Sequence, residues 1–122
     1  QHCIPILCTV QPVIPGDSTQ YYYARHPQAW YRHPLGVRAW IDSYSRAVRE
    51  VAIEHHIAVA DIAFYFRMAR YSGVPLSTLV RTLENSGIDD GVHPNAAGQD
   101  LYTRCIAGVL DPIVYLLKKR RG

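Results

Sequence analysis

No run of apolar residues in this 122-residue sequence approaches the roughly 20 that a helix needs to cross a bilayer, so a membrane-spanning role is not expected. Metal-binding spacings are missing as well. Cys3, Cys8 and Cys105 are an odd number of cysteines without Cys-x-x-Cys spacing, which supports neither a disulfide framework nor a zinc site. They read as buried free thiols. Histidine is more plentiful, but His2, His26, His33, His55 and His56 match no common ligand pattern. A continuous basic face is lacking too. The net charge is only +3, and much of the excess sits in Lys118, Lys119, Arg120 and Arg121, which reads as a solvated helix end and not as a nucleic-acid surface. Neither a metal, an organic cofactor nor a nucleic-acid partner is therefore expected. Methionine is absent from position 1, where Gln1 stands, so the expectation is either that an upstream part is removed or that the sequence is partial, and compartment is not legible from it.

What is present fits one globular domain spanning 1–122. Hydrophobic residues make up 48% and charged residues 19%, a balance that argues against disorder. A chain of this length buries about two-thirds of its unfolded surface. Ile4 to Val10 is a short, partly β-branched apolar run ending at Gln11-Pro12, and it predicts a buried strand. Val13 to Gly36 is a long connection rich in proline and aromatic residues. Val37 to His55 carries Val37, Trp40, Ile41, Tyr44, Val48, Val51 and Ala52 at helical spacing, an apolar stripe facing a core. Ile57 to Ile62 is a second strand. Strand, helix, strand is one βαβ unit, and strands buried on both faces imply a parallel sheet with helices on each side. Phe64 to Leu83 reads as helix in pieces, interrupted at Ser72-Gly73-Val74-Pro75. A further helix starts near Ala96 with Asn95 as N-cap and turns Leu101, Cys105, Ile106 and Val109 inward. Asp111-Pro112 reads as the start of another. Two strands are a poor basis for a domain, so partner strands are expected outside this chain. The open edge should leave the isolated chain marginally stable and prone to aggregate.

The chemically informative segment is Asp89-Asp90-Gly91-Val92-His93-Pro94-Asn95-Ala96-Ala97-Gly98. Three residues apart in a tight loop before a helix, Asp90 reaches back to accept the His93 Nδ1–H. That bond sets the tautomer, leaves Nε2 for a nucleophile and stabilises the imidazolium formed during reaction. Asp89 is the adjacent competitor and reads as solvated. Asp61, at a strand end where α/β sites collect, is either a site residue or an acceptor for nearby backbone.

Asp-x-x-His-Pro-Asn followed by small residues, glycine and a terminal helix resembles the last conserved block of the SGNH/GDSL hydrolases. The resemblance implies a flavodoxin-like α/β fold, a three-layer parallel sheet of which this chain would be the second half, incomplete at its N-terminus. It implies a serine hydrolase cleaving carboxylic esters of small molecules, carbohydrates or lipids, with His93 as general base and Asp90 orienting it. The family's Gly-x-Asn-Asp block has no counterpart here. Gly16-Asp17-Ser18-Thr19 spells the family's nucleophile motif, but it sits in a proline-rich loop, where such residues are common turn chemistry. The expected nucleophile is a serine upstream of this chain, with Ser18 as the alternative. The rival reading is a non-catalytic module that keeps the Asp-His block without a nucleophile. Tyr21, Tyr22, Tyr23, Trp30 and Tyr31 form either a stacking wall for a ligand or ordinary packing.

Overall fold

The computed structural model describes residues 3–15, 23–24, 26–34 and 36–120. Two short runs form strands, β1 (Ile6–Cys8) and β2 (Ala58–Ala60), paired parallel with Ile6 opposite Ala58 and Cys8 opposite Ala60. Helix α1 (Val37–Glu54) connects them. His56, at φ 53°, makes the tight reversal from α1 into β2. Beyond β2 come α2 (Ile62–Tyr71), the single turn α3 (Leu83–Ser86) and the long α4 (Ala96–Arg120). Short 3₁₀ turns cover Gln28–Arg32 and Leu76–Thr78.

The expected three-layer parallel sheet does not form. Among the described residues 61% are helical, with only two short strands. Part of the cause lies in the residues: Gln11-Pro12 ends the first apolar run as a ladder, and the β-branched run Ile113 to Leu117 is carried as a continuation of the helix that begins at Ala96. The βαβ order expected from the sequence is present, but a sheet two strands wide spans only about 10 Å. Helix α1 packs on both strands, α4 on β2, and α2 on α4.

A narrow sheet also explains why the α1 stripe is only partly used. Val37, Ile41, Ser45 and Ala52 are buried, whereas Trp40, Tyr44 and Val51 stay exposed on its flank. The main core lies between the sheet, α2 and α4. Ile62, Phe66 and Val80 are fully buried there with Cys105, and Leu101, Ile106 and Val109 pack against them from α4 as the periodicity predicts. The expected break at Asp111-Pro112 is absent: α4 runs through Pro112. Proline removes one backbone donor and strains one turn, and this helix continues past it. Leu110, Tyr115 and Leu116 beyond the core are exposed. The burial expected of the three thiols is met only at Cys105, since Cys3 and Cys8 are exposed. Among the described residues, no helix is long and apolar enough to cross a membrane.

One polar cluster joins β1, α1 and α2. Asp61 is the N-cap of α2, accepting from Phe64 N at 3.2 Å. Its carboxylate also takes both arms of Arg49, at 2.8 Å each, and the hydroxyl of Thr9 at 2.8 Å. The Thr9 hydroxyl in turn accepts from Ala63 N at 2.9 Å. The Arg49 guanidinium holds the Asp61 carboxyl below the usual carboxylate range; burial opposes this, and the Thr9 and Phe64 donors reinforce it. The acceptor role for Asp61 is therefore the one the fold uses. Thr9 is buried, so Thr9→Val strands the Ala63 amide and removes one of the three donors to Asp61 Oδ1. It should cost about 1–3 kcal/mol in urea denaturation, while Thr9→Ser should keep most of that stability.

Candidate active site around Asp90 and His93

The site is a loop folded back on itself. Leu79 to Arg81 run antiparallel to His93 to Asn95, with a bridge between Val80 and Pro94. Arg81 N donates to His93 O at 2.8 Å, Gly91 N to Arg81 O at 2.9 Å, and Asn95 N to Leu79 O at 3.0 Å. The turn between these bonds needs a residue in the left-handed region, and Gly91, at φ 68°, supplies it without a Cβ penalty.

Inside that turn the Asp90 carboxylate takes three donors. Oδ1 accepts from Val92 N at 2.7 Å and from His93 N at 2.8 Å, and Oδ2 lies 2.8 Å from His93 Nδ1. Asp90, and not Asp89, is thus the imidazole's partner. Burial works against its charge, but the His93 and Val92 amides and the His93 ring outweigh burial and hold the carboxyl below the usual range. An ionised Oδ2 requires hydrogen on Nδ1, which leaves Nε2 as the basic nitrogen. The His93 side chain is 71% exposed, so that nitrogen is reachable.

Three supports hold the loop. From one side, Ile14 N donates to Gly91 O at 2.8 Å and the Gln11 amide to Val92 O at 2.9 Å. Tyr102 of α4 donates to the Gln11 side-chain oxygen and fixes its orientation. Beneath, Val92 packs on the buried Val13, Val37 and Ile41. From the far end, Asn95 caps α4 by accepting from Gly98 N at 3.1 Å, while its amide donates to Thr78 O at 2.9 Å. Gly98 has no room for a side chain: a Cβ there would stand 2.1 Å from the Leu79 carbonyl oxygen.

The structure adds a residue that sequence reasoning did not assign. His26 is buried, with Nδ1 2.6 Å from the Tyr31 hydroxyl, and its ring lies against the main chain of Asp90. Burial pushes this imidazole down, more than the Asp90 main chain and charge push it up, so it stays neutral. Tyr23 and Tyr31 pack with ring centroids 4.3 Å apart, and Trp30 lies beside His26 and over the Val13–Val37 cluster. The aromatic segment thus packs behind the Asp90 loop. No local spacing signals this, because His26 and Asp90 are remote in sequence.

The remaining candidates do not converge. Ser18, Tyr21 and Tyr22 lie outside the described residues. Among the described residues, no hydroxyl or thiol bonds the His93 ring, and no group of three histidine, cysteine or acidic side chains is placed to hold a metal. Asp61 belongs to the cluster with Thr9 and Arg49.

Two outcomes follow from this geometry. Gly98→Ala should destabilise the chain by about 1–3 kcal/mol in urea titration, the usual range for overpacking. Unfolded, Asp90 has a pKa near 3.9; folded, it is lower. Its contribution is complete above that value and disappears as pH falls through the folded pKa. Buried His26, held below its ordinary 6.5, adds an earlier fall that begins as pH drops below about 6.5. The further fall of the urea midpoint below about pH 4 belongs to the carboxylates and should be shallower in Asp90→Asn; parallel curves below about pH 4 would contradict it.

Comparison with protein-family models, curated proteins and solved structures finds no match.

Proposed function

We propose that Asp90 and His93 are the acid–base pair of a serine-type ester hydrolase. The supporting observation is the three-donor Asp90 carboxylate with Oδ2 on His93 Nδ1, which leaves Nε2 exposed. A general base needs that combination: a set tautomer, a nearby anion to stabilise the imidazolium, and an open nitrogen. The likeness of Asp90-Gly91-Val92-His93-Pro94-Asn95 to the last block of the SGNH/GDSL hydrolases supports ester cleavage as the reaction.

In the proposed reaction a serine hydroxyl attacks the ester carbonyl carbon while His93 Nε2 takes its proton. The tetrahedral intermediate collapses, the carbon–oxygen bond to the alcohol breaks, and Nε2–H protonates the leaving alkoxide. Water, deprotonated by the same nitrogen, then hydrolyses the acyl-serine. Asp90 stays ionised throughout. No metal or organic cofactor enters this scheme. The serine is Ser18 or one supplied from outside this sequence.

The observation that His93 bonds no hydroxyl among the described residues favours a second reading, a binding module that retains the Asp-His block without turnover.

A fluorophosphonate probe separates the two. In the protein that carries the nucleophile, whether Ser18 or a serine upstream of Gln1, a serine should be phosphonylated and located by mass spectrometry, and labelling should vanish in His93→Ala. Against p-nitrophenyl acetate, Asp90→Asn should slow turnover by up to about 10⁴, the loss that a mis-set tautomer causes in serine proteases. Exposed imidazoles hydrolyse this ester slowly without a nucleophile, so the comparison of variants decides. Equal rates for wild type, His93→Ala and Asp90→Asn, with no labelling, would leave the binding module as the reading.

A further inference from the structure

Four arginines stand on the facing sides of α1 and α2 without a matching set of carboxylates. Arg38 and Arg46 share one face of α1 with Asp42, at steps of four residues; Arg67 and Arg70 share one face of α2. Among the described residues, the ion pairs are Arg49–Asp61, His93–Asp90 and Arg104–Asp100, so none of these four arginines is neutralised by a salt bridge. Arg38, Arg67 and Arg70 line a cleft of about 320 Å³ together with Val10, Ile41, Ala63, Tyr71 and one carboxylate, Asp42, so three cations there face a single anion. A second hollow of about 430 Å³ continues the seam past Arg46. Guanidiniums approaching from two helices suit a tetrahedral oxyanion with acceptors on several sides.

Next to this basic face α2 carries an apolar one. Phe64, Met68 and Tyr71 follow at steps of four and three, each one position on from Ala63, Arg67 and Arg70. They are 47%, 43% and 77% exposed, so the fold does not use them as core. A helix that presents aromatic and flexible apolar groups beside arginines has the composition of an interfacial segment. The apolar groups enter the acyl boundary and the cations meet the headgroups.

We propose that α2 rests on an anionic lipid surface, with the phosphate of a lipid headgroup in the α1–α2 cleft against Arg38, Arg67 and Arg70. The two features supply complementary halves of one ligand: the cleft takes the charged group and the Phe64–Met68–Tyr71 stripe takes the adjoining hydrocarbon. This surface does not depend on the ester-hydrolase reading, and its binding is measured without turnover. The cleft does adjoin the site. Val10 and Pro12 border it, and Gln11 between them holds the Val92 carbonyl.

The test is vesicle co-sedimentation of the whole chain, with circular dichroism to confirm that each variant is folded. Vesicles of phosphatidylcholine containing one-fifth phosphatidic acid should retain the chain at low salt, and pure phosphatidylcholine should not. Arg67→Gln with Arg70→Gln should weaken retention about tenfold or more, as removal of two cations near an anionic surface does. Phe64→Ser with Met68→Ser should weaken it independently. Equal retention on neutral and anionic vesicles, or retention indifferent to both pairs of changes, overturns the proposal. If the arginine pair matters and the apolar pair does not, and inorganic phosphate displaces the chain, the cleft belongs to a soluble phosphate group and the lipid surface is rejected.

Discussion

A carboxylate drawn into a loop must be given donors or lose its charge, and the loop at Asp90 gives it three. Two are the amides of Val92 and His93, and the third is the imidazole itself. One side chain therefore shapes the turn and aims the ring that the turn carries. The neighbouring features serve this arrangement. Gly91 provides the left-handed step, Gln11 and Ile14 hold the two carbonyls that follow Asp90, and Asn95 begins α4 directly behind the histidine. Changing any of these moves the ring by way of the carboxylate.

A second carboxylate does comparable work in the frame. Asp61 collects Arg49 from α1, Thr9 from the end of β1 and the first turn of α2. Two three-residue strands offer few ladder bonds, and this cluster ties their ends to both helices. Both carboxyls are held low, by opposite balances. For Asp61 the guanidinium is the dominant influence; for Asp90 burial is the largest single effect and is overcome by several hydrogen bonds together. Asp61 is thereby committed to structure, whereas the partner of Asp90 keeps one nitrogen open.

The Asp90 block was legible in the sequence because everything it needs is local. A carboxylate three residues before a histidine, a glycine that permits the turn, and an asparagine that caps the next helix all fall within six residues. Helix α1 and the inward face of α4 were legible for a similar reason, since a period of three to four residues is written in the chain itself. The fold family was not. The same βαβ order serves a wide sheet and a two-stranded one, and the motif says nothing of how many strands stand beside it. Trp40, Tyr44 and Val51 belong to the apolar stripe but find no second sheet position to cover. Pro112 illustrates a different ambiguity, because Asp-Pro signals a helix start and is also tolerated within a helix that already exists. His26 could be weighed from the sequence only as a metal ligand, because its partner is remote and only folding brings the aromatic segment behind Asp90.

The central claim is that Asp90 fixes the His93 tautomer with the hydrogen on Nδ1 and the lone pair on Nε2. Long-range ¹H–¹⁵N correlation spectra of the folded chain at alkaline pH read this directly from the two ring-nitrogen shifts. The account predicts a protonated Nδ1 and an unprotonated Nε2 in the wild type, with the preference lost in Asp90→Asn. A wild-type His93 with its hydrogen on Nε2, or one whose tautomer balance ignores the change at Asp90, would contradict it.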